Sequence, residues 1–186
     1  MPRILILLFH PDLARSRANA ALAAAASRLP GVDLLDMQAL YPSGQIDADQ
    51  EVHRLLAADR IVLQFPLQWY STPPLLKAWQ DVVLTRMFYI AYEAEGRLLE
   101  GKRLLVAATA GNDAAAYTPA GMNRFPIADL LRPLQATAHR CGLAWEDPFI
   151  VYRANRLDAA ALAAAGDEYV EHLQRVPPSA RARIAA

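Results

Sequence analysis

The 186 residues hold 19 Lys+Arg and 19 Asp+Glu, a balance that argues against nucleic acid, an anionic membrane or the charged docking face of a one-electron carrier. The single cysteine, Cys141, excludes an internal disulfide and fits a reducing compartment, and no His/Cys cluster suggests a metal site. The apolar run after Arg3 is too short for a secretory signal and no stretch reaches membrane-spanning length, so a cytoplasmic protein is expected, with attachment at the inner face of the membrane as the second option.

Ile4–Phe9 is continuously apolar and rich in branched residues, the pattern of a central strand. Phe9-His10-Pro11 and Ser16-Arg17-Ala18-Asn19 follow it. Ser16 to Leu29 is alanine-rich with helical spacing at Leu22, Ala26 and Leu29, and Pro30-Gly31 ends it. Val32–Met37 reads as a second strand. Asp47-Ala48-Asp49 caps a helix over Gln50–Ala58, and Arg60–Phe65 is the third strand. Thr72 is the expected N-cap of a helix with proline in its first turn, running through Leu75, Leu76, Trp79 and Val83. Lys102–Thr109 is the fourth strand. An irregular stretch over 110–125 follows, long enough to be functional. A helix over Ile127–Arg140, a strand within Leu143–Tyr152 and a helix from Asp158 to Gln174 complete the chain. Residues 1–176 form one domain on this reading, with 177–186 a flexible tail.

Strands alternating with helices imply a parallel sheet covered on both faces. Right-handed crossovers then favour the order 2-1-3-4-5 in a three-layer sandwich. Ligands bind such sheets at the carboxyl ends of strands beside the point where strand order reverses. Here that point lies between strands one and three, and two polar segments follow those strands.

Those segments suit a flavin mononucleotide. Ser16, Arg17 and Asn19 sit where the first helix begins, where free backbone N–H groups and a positive dipole end favour a phosphate. Plain N-capping by Ser16 is the alternative. His10 stands at a strand end, a position that structural histidines also occupy. Trp69 and Tyr70 are consecutive loop aromatics after Pro66; they either plug the core or form a wall for a flat ring. Thr109-Ala110-Gly111-Asn112 closes strand four, and Gly111 either lets backbone approach a ligand or serves a turn. No glycine-rich dinucleotide fingerprint is present.

The stretch PLQWYSTPPLLKAW at 66–79, with HP at 10–11, SRAN at 16–19, TAGN at 109–112 and PLQATAHRCGLAW at 133–145, resembles the flavodoxin-fold NAD(P)H:quinone oxidoreductases, also called DT-diaphorases. It is most similar to their bacterial branch with the ancillary flavoproteins of glutathione-gated potassium efflux. The resemblance runs from about residue 3 to 175 and implies a flavodoxin-like fold. By position, it implies that His10, Ser16, Arg17, Ala18 and Asn19 hold the phosphate and ribityl end. Pro66, Leu67, Gln68, Trp69 and Tyr70 would line the ring, and Thr109, Ala110, Gly111 and Asn112 would meet its pyrimidine side. Tyr117 falls at a family tyrosine that absorbs charge, and Asn123 where relatives carry its histidine partner. Asparagine donates a hydrogen bond but no proton at neutral pH. Asn112 also replaces a usual glycine.

The activity so implied is two-electron, ping-pong hydride transfer from NAD(P)H through FMN to a quinone, in a homodimer. FAD is the second choice of cofactor. The alternative role is a regulatory subunit docked on a potassium-efflux transporter, with reductase activity secondary.

Overall fold

The structure, a computed structural model, describes residues 2–175. The tail expected over 177–186 lies outside the described residues. Five parallel strands run in the order β2-β1-β3-β4-β5, and a sixth, β6, also pairs with β4. They are β1 (Ile4–Leu8), β2 (Val32–Asp36), β3 (Arg60–Pro66), β4 (Arg103–Thr109), β5 (Ala144–Trp145) and β6 (Phe149–Val151). The reversal point lies between β1 and β3, as the strand–helix alternation implies.

The pleat divides the core in two. Leu5, Leu7, Ile61, Leu63, Leu104 and Val106 pack on one face, with α3 (Ala48–Ala57), α4 (Pro74–Trp79) and α7 (Arg132–Arg140). Ile4, Ile6, Val62, Leu105 and Ala107 pack on the other, with α1 (Ala18–Ala26) and α8 (Ala159–Gln174). Alternate residues of each strand thus serve opposite layers. Both faces are covered, which is why these strands read as unbroken apolar runs.

Several elements differ from the sequence reading. The first helix is shorter than Ser16–Leu29, because a 3-10 turn over Leu13–Arg15, capped by Asp12, occupies the approach to it. A short helix, α2 (Met37–Leu40), follows β2 directly, with the Asp36 carboxylate accepting from Gln38 N and Ala39 N. Thr72 is not the cap of α4. Pro73 is, with ψ 150, because the ring of Pro74 forces its predecessor out of the helical region. Beyond Trp79 the chain loosens into three π turns, Gln80–Leu84, Arg86–Ile90 and Tyr92–Gly96, before α5 (Arg97–Leu99).

The helix expected over Ile127–Arg140 is two, α6 (Ile127–Leu130) and α7. Pro133 has no N–H to give Asp129, so the helix restarts with proline in its first turn. The fifth strand splits into β5 and β6, since Ala144–Trp145 pair with Arg103–Leu104 and Phe149–Val151 with Ala107–Thr109. Three residues, Glu146 to Pro148, therefore stand opposite Leu105 and Val106. Pro148 offers no ladder N–H, and Glu146 turns inward onto Arg60 and Arg103. No helix among the described residues is long and apolar enough to cross a membrane.

Candidate functional site

The loops after β1, β3 and β4 meet at one end of the sheet. At the start of α1, no described carbonyl or side chain accepts from the N–H groups of Arg17, Ala18 and Asn19. Those donors form an anion-binding arrangement. Ser16 is half-buried and Arg17 exposed beside them. Ser16 does not cap α1; it closes the preceding 3-10 turn through its own N–H to Leu13 O. The Asn19 side chain faces inward. It is 1% exposed, and its Nδ2 donates to Thr109 Oγ1 at 3.0 Å. Asn19 thus offers the crevice its backbone, while its amide ties α1 to β4.

His10 is half-buried, and its Nδ1 accepts from Asp12 N at 3.1 Å. Burial lowers its pKa against the opposing pull of Asp12 and Asp36. The folded protein therefore favours neutral His10. Its contribution to stability is full above the ordinary value of 6.5 and is lost as pH falls through the lowered folded value. Denaturant midpoints between pH 5 and 8 are expected to fall on acidification less steeply in His10→Asn than in wild type; parallel curves would refute this.

Gln68 and Ser71 close a two-residue turn, with Gln68 N to Ser71 O and Ser71 N to Gln68 O both at 3.0 Å. Its central residues, Trp69 and Tyr70, have φ of 48 and 65. Such turns normally carry Asn-Gly, and a non-glycine residue there costs of order 1–3 kcal/mol. Trp69 is 94% exposed and Tyr70 48%, so these aromatics do not plug the core. They stand at the mouth of a cleft of about 210 Å³ lined by Leu67, Trp69, Tyr70, Gly111, Asn112, Tyr117, Asn123 and Leu130.

The loop after β4 builds the facing wall. Leu67 N donates to Thr109 O at 2.8 Å, Ala110 N to Val151 O at 2.8 Å and Arg153 N to Asn112 O at 2.9 Å. These bonds pin three strand ends to one another. Gly111 does not have positive φ, and a Cβ there would meet only Asn155 Nδ2 at 3.9 Å. Its bare backbone faces open space, as a close-fitting ligand requires. Asp113 caps the 3-10 turn Ala114–Tyr117. Asn123 N then returns to Ala116 O at 2.8 Å, which places Tyr117 and Asn123 in the same cleft.

Asn123 is 8% exposed. Its Oδ1 accepts from the Tyr70 hydroxyl at 3.2 Å, while its buried Nδ2 has no partner among the described residues. A buried unpaired donor in a cleft wall is costly, and a ligand acceptor would satisfy it. Burial raises the pKa of Tyr117, with the Asn112 backbone pulling the other way, so its hydroxyl remains a donor at neutral pH. Tyr152 packs on it at 6.0 Å between ring centroids. Leu130 and Tyr152 escaped the sequence reading. One lies within the expected 127–140 helix and the other at the end of the expected fifth strand, where such side chains read as ordinary packing.

A doubly wound, three-layer α/β sandwich with its cleft at the reversal point is the class that fold and site define. The chain belongs to the flavodoxin-like fold family, whose model matches residues 2–173. A relative named Glutathione-regulated potassium-efflux system ancillary protein KefG, from Cronobacter sakazakii, is 41% identical over 90% of this chain and 90% of its own. Another, named Uncharacterized NAD(P)H oxidoreductase YdeQ, from Bacillus subtilis, is 37% identical over 98% of this chain and 91% of its own.

Similar solved structures include the following three. One named as a thermophilic tryptophan halogenase, from Streptomycin violaceusniger, has TM-score 0.86 and 40% identity, covering 92% of this chain and 99% of that one. General stress protein 14 from Treponema denticola, in complex with FMN, has TM-score 0.84 and 31% identity, covering 92% and 98%. An NADPH-quinone reductase from P. pentosaceus has TM-score 0.81 and 31% identity, covering 94% and 99%. The names of these neighbours differ in reaction while the fold is shared.

Proposed function

We propose that this protein is an FMN-dependent NAD(P)H:quinone oxidoreductase, with residues 1–176 as its flavin-binding domain. The observation that carries this reading is the cleft itself. A strained aromatic turn, a bare Gly111 and a buried Asn123 amide unpaired among the described residues line it, and the free N–H groups at the start of α1 lie at the same end of the sheet. Relatives named as reductases and a neighbour solved with FMN support it. The residues fit the cofactor: Ser16 to Asn19 with His10 would hold its phosphate and ribityl end. Pro66 to Tyr70 would hold the ring, and Thr109 to Asn112 the pyrimidine edge.

Bound FMN would supply a two-electron redox centre, taking reducing equivalents from NAD(P)H and passing them to a quinone. Trp69 and Tyr70 orient flat substrates over that centre and shed water from it. Because one cleft serves both substrates, they bind in turn, which gives ping-pong kinetics. Exposed Tyr89 and Ile90 support a homodimer. The test is titration of the purified protein with FMN and with FAD, followed by NADPH and a soluble quinone. Stoichiometric uptake of FMN, bleaching by NADPH and recovery with quinone are expected. Flavin left free in both titrations would refute the reading.

With the cofactor bound, the Tyr117 hydroxyl would serve as a donor toward its ring and Asn123 Nδ2 as a donor to a bound acceptor. Tyr117→Phe is expected to slow flavin reduction by NADPH roughly 10–100-fold, the worth of a hydrogen bond to a charged group, with FMN affinity within a few-fold. Wild-type reduction in that variant would make Tyr117 part of the wall only. Asn123 cannot supply a proton, so the rate is expected to be flat across pH 5–8. Asn123→His should introduce a dependence near the imidazole pKa, about 6.5.

The KefG relative favours a second role, docking on a glutathione-gated potassium-efflux transporter. Co-purification with such a transporter would support it, and separation of the two on a sizing column would argue against it.

A further inference from the structure

Four polar side chains lie in a line through an otherwise apolar layer. Tyr169 and Gln64 are 0% exposed, Asn19 1% and Thr109 4%. The Tyr169 hydroxyl donates to Gln64 Oε1 at 3.2 Å. Gln64 Nε2 donates to Asn19 O at 3.0 Å and faces Asn19 Oδ1 at 3.4 Å. Asn19 Nδ2 donates to Thr109 Oγ1 at 3.0 Å. The line runs from α8 over Gln64 of β3 to the first turn of α1 and the carboxyl end of β4, all within the layer between the sheet and the α1/α8 pair. Its neighbours are Ile6, Leu22, Val62, Leu105 and Ala107.

Stability alone does not call for such a line. Replacing both members of a buried hydrogen-bonded pair with apolar groups of similar shape is often neutral or stabilising. What the line does supply is direction. Each amide uses its oxygen toward α8 and its nitrogen toward β4, so the bonds cohere only in this order. Burial pushes the Tyr169 hydroxyl well above its ordinary pKa, which keeps it a donor. The Asn19 backbone is held at two points, through its own carbonyl and through its side chain. The free N–H groups of Arg17, Ala18 and Asn19 are therefore set against the end of β4 by a line that starts at Tyr169 and Gln64, neither of which lines the cleft.

We propose that Tyr169 and Gln64 are positioning residues that hold the start of α1 in place to receive a phosphate. This rests on the flavin reading above and extends it to α8, which packs beside α1 on the same face of the sheet. It has a signature that a merely structural role lacks. Only the phosphate end depends on α1, so FMN should lose affinity while riboflavin, the same ring without phosphate, should not.

The experiment measures the affinities of FMN and riboflavin by flavin fluorescence quenching, with the thermal midpoint of each apoprotein. It compares wild type with Tyr169→Phe, which removes one hydroxyl, and Gln64→Met, which keeps volume. FMN affinity is expected to fall about 2–10-fold in Tyr169→Phe and further in Gln64→Met, the range of one or two lost hydrogen bonds. Riboflavin affinity should change less than twofold in both. If Gln64→Met fails to fold, Tyr169→Phe decides alone. Equal losses for both ligands, or unchanged FMN affinity with a shifted midpoint, overturn the proposal and leave the flavin reading intact. A wild-type protein that binds neither ligand overturns both.

Discussion

Glu146→Ala is expected to lower the unfolding free energy by about 3–5 kcal/mol, the cost of stripping the partner from a buried charge. Glu146 Oε1 accepts from Arg60 Nε at 3.0 Å and from Arg103 Nε at 2.8 Å, and Oε2 accepts from Arg60 Nη2 at 2.6 Å. Both partners of the central pair are buried, Arg60 at 3% and Glu146 at 7% side-chain exposure. Without the carboxylate, the partners left to Arg60 among the described residues are the carbonyls of His172 and Leu173 at the end of α8. Those oxygens are partial charges and do not balance a full one. Urea denaturation measures the effect, and a loss below about 1 kcal/mol would show that Arg60 finds water instead. The cleft lies at the other end of β4, about 20 Å along the strand, so FMN affinity should be unchanged.

Gly121→Ala is expected to reduce kcat/KM about 100-fold while the thermal midpoint falls only a few degrees. A Cβ on Gly121 would lie 2.2 Å from Ala115 O and 2.5 Å from Ala116 O. Both are backbone atoms of the turn that ends at Tyr117, so no side chain can swing aside. The turn must move by about an ångström, and displacements of that size at a reacting centre cost on the order of 100-fold. The same shift breaks the bond from Asn123 N to Ala116 O, so both proposed chemical residues move together. The loop lies outside the two core layers, which is why the fold survives. Quinone-dependent NADPH oxidation and differential scanning fluorimetry check the two halves. Wild-type turnover would mean that the loop does not organise the cleft.

The sheet was legible because its central strands are buried on both faces, and apolar runs such as Ile4–Leu8 and residues 61–63 do that. The crevice loops were legible as polar segments after those runs. Legibility ended where a residue's role depends on a partner distant in sequence. Asn19 looked like a surface donor beside Arg17, but its partner Thr109 is 90 positions away. Glu146 read as part of a strand because nothing local shows that Arg60 waits beneath it. Trp69 and Tyr70 read as a wall or a plug. Their positive φ was invisible, because a turn of that shape ordinarily announces itself with asparagine and glycine.

That turn has a bearing on how variants of this protein would be improved. Any campaign that ranks sequences by thermal tolerance, or by the residues commonly found in tight hairpins, will favour replacing Trp69 and Tyr70. Each replacement would relax the backbone, and each generation would look healthier by melting point while the crevice lost its aromatic wall. Screening for retention of yellow colour beside heat resistance would keep that selection from discarding the site.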